Sequence, residues 1–256
     1  DRWRHLRLST LLHEAKIGPR VLGVTPASEA LGGRAAVVEA ALKPITRAEL
    51  ESRAVEAISL LARLHSNIPL HAALLAGLTE SERERLQPLS RLFSETRERW
   101  FEAVAGRWLE SGLEEIGCLT EVVGELISQI EALTCCTRKA DLIVPAHNDP
   151  NHGNFRLNRQ GALRLIDFEE LAPNNPVADL GMFLTWYADR ERHRALLEHY
   201  PLVAPDAMLE RMRVWVPLRY ISIAAHWAAR LTRAAAVAGK IGESKNWRTD
   251  ASFVLG

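Results

Sequence analysis

The chain has 256 residues, enough for one large domain or two smaller ones with a substantial core. Its 32 basic and 32 acidic side chains cancel, so no overall field draws it to nucleic acid or an anionic membrane. No apolar run approaches the ~20 residues that a membrane helix needs, and the three cysteines (Cys118, Cys135 and Cys136) do not make a disulfide framework, so a cytoplasmic setting is expected.

The chain opens on Asp1, without Met, and inside a helical pattern. Leu8, Leu11, Leu12 and Ala15 recur at helical spacing and stop before Gly18-Pro19. Residues 20–24 and 34–42 read as two strands around a Thr-Pro and Gly32-Gly33 connection. Thr46 and Glu49 form a capping-box pattern. The helix behind it carries Leu50, Ala54, Ala57, Ile58, Leu61 and Leu64 on one side, to about His65. A second capping box, Thr79 with Glu82, opens a charged segment that stops at Pro88. Two more helices are expected, one with Leu92, Trp100, Val104 and Trp108, the other with Val122, Val123, Leu126, Ile127, Ile130 and Leu133.

Residues 144–155, "VPAHNDPNHGNF", break this helical run. Pro150 and Gly153 disqualify a helix, and Pro150 disfavours a strand, so the polar groups sit on a loop. The segment "NFRLNRQGALRLIDFEE" then reads as a hairpin turning at residues 158–161. With Phe155 facing Leu165 and Leu157 facing Leu163, its apolar side chains share one face. That register sets Arg156 against Arg164, a like-charge pair in need of solvent or an acidic neighbour. It also brings Asn154 beside Asp167, close to Asp149. From Pro176 on, helix is expected again: "ADLGMFLTWY", residues 190–200, and a long stretch over about 206–238.

An Asp, an Asn and a second Asp so placed suit phosphoryl transfer. One carboxylate orients the attacking hydroxyl and accepts its proton, and hard oxygen ligands hold the Mg²⁺ on the nucleotide phosphates. Asp149 is the expected base, Asn154 and Asp167 the metal ligands, and His147 a brace for the loop. Two other function classes stand beside this one. His147, Asp149 and His152 could form the zinc shell of a metal-dependent hydrolase, and a catalytically inactive nucleotide-binding chain is the third.

H-N-D-P-N-H-G-N keeps the H-x-D-x-x-x-x-N spacing of a kinase catalytic loop, and "IDFE" stands where kinases carry D-F-G. Together with the hairpin, "NPVADLG", "LLARLHS" and "GPRVLG", these motifs resemble the aminoglycoside phosphotransferase and choline kinase-like families. The resemblance covers roughly residues 17–187 and implies an α+β, protein kinase-like fold. No Gly-rich phosphate loop or strand Lys can be placed, so it implies a truncated N-terminal lobe (residues 1–42) before a mainly helical C-terminal lobe (residues 43–256). It further implies that Asp179 buttresses the catalytic loop and that Glu39, Ala40 and Ala41 form a hinge whose backbone binds adenine. Asn151, Glu169 and Glu170 are expected near the acceptor. The expected activity is phosphorylation, with ATP and Mg²⁺, of a hydroxyl on a small amine-bearing molecule. Aromatic side chains of the C-terminal helices, among them Trp186, Tyr187, Trp215, Tyr220 and Trp227, could supply a cation-binding face.

Overall fold

The computed structural model describes residues 2–28, 34–80, 124, 125, 128 and 142–237. Of the helices expected over about 88–134 only residues 124, 125 and 128 are described, all helical, and Glu82 of the Thr79–Glu82 capping box lies outside the described residues. Two compact units are present: residues 1–86 with 141–212, and residues 87–140 with 213–256.

The first unit opens with helix α1 (Arg2–Glu14), which ends where Lys16 turns left-handed at φ 57°. Strand β1 (Val21–Ser28) pairs antiparallel with β2 (Arg34–Glu39). β1 is longer than the sequence pattern suggests, because it continues through Pro26 where the register shifts. β2 is shorter at its end, since the chain leaves the ladder after Glu39. Leu22, Val24 and Val38 on this ribbon are exposed.

Thr46 caps α2 (Arg47–Ser52) as expected: its Oγ accepts from the Glu49 N–H while Glu49 accepts from the Thr46 N–H at 2.8 Å. The single helix expected here is two. Arg53, at φ −108° and ψ 23°, separates α2 from α3 (Ala54–His65). Every apolar position expected on one side (Leu50, Ala54, Ala57, Ile58, Leu61, Leu64) is buried. Helix α4 (Ile68–Ala76) follows, capped by the Asn67 side chain on the Leu70 N–H.

Strand β4 (Val144–Ala146) leads into the loop, and β5 (Phe155–Leu157) with β6 (Leu163–Leu165) forms the hairpin beyond it. The register is the expected one: Phe155 pairs with Leu165, Arg156 with Arg164 and Leu157 with Leu163. Asn158 makes the turn, its side chain accepting from the N–H groups of Gln160 and Ala162, and Gly161 takes φ +77°, a conformation open to glycine. Two pairings have no local sequence signal. A short β3 (Lys43–Pro44) adds to β5, and β7 (Ala172–Asn174) pairs with β4, setting Pro173 opposite Pro145.

Helix α5 (Val177–Tyr187) is buried on nearly all sides, and a 3-10 turn at Arg190–Arg192 leads into α6 (His193–Leu197). Helix α7 (Pro205–Val237) is the long C-terminal helix expected from the sequence. Its residues from 213 on belong to the second unit, where Val214, Trp215, Leu218 and Ile221 are buried. Among the described residues, no helix is long and apolar enough to cross a membrane.

Candidate active site

The site is built around one buried carboxylate. Asp179, in the first turn of α5, is fully buried and accepts three hydrogen bonds. Its Oδ2 takes the His147 N–H at 2.7 Å and His65 Nε2 at 2.9 Å, and its Oδ1 takes the Asn148 N–H at 2.7 Å. Burial pushes the Asp179 carboxyl up, but the hydrogen bond and field of His65, reinforced by His147, win and hold it below the usual carboxylate range. These bonds join Asp179, given a bracing role by the family resemblance, to the backbone of His147 and Asn148. Asn148 turns left-handed at φ +68°, which Asn tolerates better than most residues, and its side chain spans to the carbonyls of Ala146 and Glu170.

His147 is fully buried and does not face the loop mouth. Its Nε2 lies 2.8 Å from the Ile166 carbonyl, and its Nδ1 accepts the Asp149 N–H at 3.3 Å. A carbonyl only accepts, so Nε2 carries a proton and donates to it. Both ring nitrogens are therefore engaged, and neither is free to bind a metal. His152 is exposed, held through its backbone N–H by Tyr187 Oη at 2.7 Å. Among the described residues, no group of three His, Cys, Asp or Glu could hold a metal, which removes the geometric basis for the hydrolase reading.

Asp149 follows at the loop's turn. Its Oδ2 accepts from Asn151 Nδ2 at 2.8 Å and from Asn154 Nδ2 at 3.0 Å. Asn154 is buried, and its amide also donates to the Asp149 carbonyl at 2.9 Å. Asn151 thus serves the loop itself. A Cβ at Gly153 would sit 2.8 Å from Asn151 Oδ1, so the Asn151 side chain would have to shift.

The hairpin carries Asp167 to the same place. The Ile166 N–H donates to the Asn154 carbonyl at 3.0 Å, continuing the ladder one step beyond the Phe155–Leu165 pair. Asp167 follows at φ 60° and ψ 64°, exposed, with no hydrogen bond to its carboxylate among the described residues. Glu169 and Glu170 are exposed on the 3-10 turn after it. Asn154 Oδ1 and the Asp167 carboxylate are hard oxygen donors on neighbouring positions, the ligand type Mg²⁺ takes. Just beyond β2, the Ala40 N–H is engaged by the Arg20 carbonyl at 2.8 Å, while the Ala41 N–H has no partner among the described residues.

Two residues of the site escaped the sequence reading. His65 ends α3 on the buried side, and its Nδ1 lies 2.9 Å from the Tyr200 hydroxyl. Burial and the charge of Asp179 raise the Tyr200 phenol, so it keeps its proton and donates to Nδ1, leaving Nε2–H for Asp179. The signal for His65 was a polar residue on the core face of an apolar helix, which demands a partner. Tyr200 had no such signal. Tyr187 is not an open cation face, because the Arg47 guanidinium lies 5.5 Å from its ring centroid and also donates to the Trp186 carbonyl at 2.6 Å.

Comparison with solved structures places the fold. A choline/ethanolamine kinase family protein from Mesorhizobium loti superposes with a TM-score of 0.63 at 15% identity, over 99% of this chain and 77% of that one. A choline kinase from Streptococcus pneumoniae gives 0.59 at 15% identity, over 100% and 79%. The GDP complex of aminoglycoside 2'-phosphotransferase-IIIa gives 0.60 at 17% identity, over 98% and 79%. A comparison with curated proteins finds no match. The model of the phosphotransferase enzyme family, abbreviated APH, matches residues 4–215, and with its kinase-like fold the chain belongs to that family.

Proposed function

We propose that this protein transfers the γ-phosphoryl group of ATP, with Mg²⁺, to a hydroxyl of a small amine-bearing molecule. The carrying observation is the division of labour in the loop. Asp149 is fixed by two amides on Oδ2, while Asp167 presents a carboxylate with no protein partner beside Asn154. Asp149 orients the acceptor hydroxyl and takes its proton; Asp179 and His147 hold the loop in place for that task. Asn154 and Asp167 would hold Mg²⁺, which when bound neutralises charge on the phosphates. The hinge, with the free Ala41 N–H, would receive the adenine ring.

A choline kinase and an aminoglycoside phosphotransferase among the similar structures, the latter with GDP bound, support a nucleotide and a small hydroxyl acceptor. Preference for an amine would rest on Asp149, Glu169 and Glu170 rather than on an aromatic cage, since Arg47 already occupies Tyr187. The test is ADP release with choline, ethanolamine, thiamine, an aminoglycoside, homoserine and a neutral sugar, for wild type and Asp149→Asn. Base assistance is worth ~10²–10⁴-fold in kcat, and nucleotide affinity should be unchanged in the variant. Near-normal turnover by Asp149→Asn would remove it from the mechanism, and turnover of the neutral sugar alone would remove the amine preference.

A further inference from the structure

A cleft of about 440 Å³ lies away from the catalytic loop, between the end of α1, the hinge and the β5–β6 turn. His13, Lys16, Arg20, Arg159 and Arg164 line it, and none of its lining residues is acidic. Neither Asp149, Asn154 nor Asp167 lines it. In a chain whose formal charges cancel, so many cations around one hollow without a carboxylate is a local excess. Lys16, Arg20 and Arg159 are exposed and have no ion-pair partner among the described residues.

Arg164 shows the same imbalance from below. It stands opposite Arg156 in the hairpin, and its guanidinium donates to the Leu163 carbonyl at 2.7 Å. The nearest carboxylate, Glu56, is already committed: Arg53 lies 2.5 Å from its Oε2, and the Leu163 N–H donates to its Oε1 at 2.9 Å. Burial first, and then the field of Arg63, lower the Arg164 pKa, while Glu56 only partly opposes them. Arg164 thus lines the cleft as a cation whose charge Glu56 only partly offsets.

We propose that this cleft is a second anion site, which takes a small phosphate-bearing molecule. Arginine forks match phosphate oxygens two at a time, and the volume is that of a small-molecule pocket. One wall is Ala40, Ala41 and Leu42, so an occupant touches two of the three residues proposed to receive the nucleotide. The inference is independent of the catalytic reading, since it uses none of that loop's residues.

The probe is sodium tripolyphosphate, titrated calorimetrically into the 256-residue chain with a chelator present to exclude divalent metal. Saturable one-site binding that weakens as salt rises is expected. Arg20→Gln with Arg159→Gln, both at exposed positions, should weaken it roughly three- to tenfold, while Asp167→Asn should leave it unchanged. No saturable binding to the wild type, or equal binding by the double variant, overturns the proposal. A parallel titration with Mg-ADP separates the sites: unchanged affinity in the double variant supports a second site. A joint loss assigns the cleft to the nucleotide site instead and overturns the claim of a separate one.

Discussion

Replacing Asp179 by Asn changes almost no volume and tests the bracing directly. The carboxylate now satisfies three buried or half-buried donors: His65 Nε2, His147 N–H and Asn148 N–H. An amide offers one oxygen and one NH₂. With the oxygen at the Oδ2 position, His65 and His147 keep an acceptor, but the NH₂ faces the Asn148 N–H, donor against donor. Leaving that N–H unsatisfied costs ~1–3 kcal/mol, and turning two charge-assisted bonds into neutral ones costs ~1 kcal/mol each. The sum is ~3–5 kcal/mol, a large part of the ~5–15 kcal/mol by which a domain is stable. Urea unfolding followed by far-UV circular dichroism should show a midpoint lowered by that free energy divided by the slope, at unchanged slope. A loss under ~1 kcal/mol would refute the reasoning, for it would mean that the donors find water or another acceptor. The pH dependence gives a second reading. The folded pKa of Asp179 lies below its ordinary value of 3.8, so its contribution is complete above that value and is lost as pH falls through the folded pKa. Asp179→Asn should therefore flatten the acid limb of stability below about pH 4 while leaving the neutral limb parallel.

Three other substitutions separate the parts of the site. Asp167→Asn keeps a residue type that tolerates φ 60°, so the fold should hold while Mg²⁺ ceases to raise ADP affinity; equal enhancement by Mg²⁺ in both proteins would remove Asp167 as a ligand. Gly153→Ala forces Asn151 away from a Cβ at 2.8 Å and so loosens Asp149, with kcat expected to fall roughly ten- to a hundredfold at unchanged nucleotide affinity, read from steady-state ADP release. Tyr200→Phe leaves His65 Nδ1 buried without a donor, at ~1–3 kcal/mol, and calorimetry should show Tm lower by several degrees.

The hairpin was legible because a one-residue slip would split Phe155, Leu157, Leu163 and Leu165 between two faces, and the Arg156–Arg164 conflict that came with the pairing is present too. The loop was legible because Pro150 and Gly153 exclude regular structure around Asp149. The capping box fixed the start of α2, but nothing in "LESRAVEA" marks the break at Arg53, where the chain bends so that Glu56 can serve both Arg53 and the Leu163 N–H. Nor could local pattern find His65 with Tyr200, or Pro145 opposite Pro173, because each pair is made only by the tertiary fold.

The Asp179 knot also bears on how the chain folds. His65 and Asp179 are 114 residues apart in sequence, His65 and Tyr200 135, and the Glu56–Leu163 and Arg53–Gly161 bonds span 107 and 108. Loop-closure entropy must be met before contacts of such separation reward the chain. Asn148 is held left-handed by a local bond to the Ala146 carbonyl and by the distant Asp179 carboxylate, which reaches the loop through the packing of α5 against α3. The proposed catalytic geometry is thereby tied to completed folding: a chain that has formed its helices but not closed these contacts lacks the carboxylate that holds the His147 and Asn148 N–H groups beside Asp149.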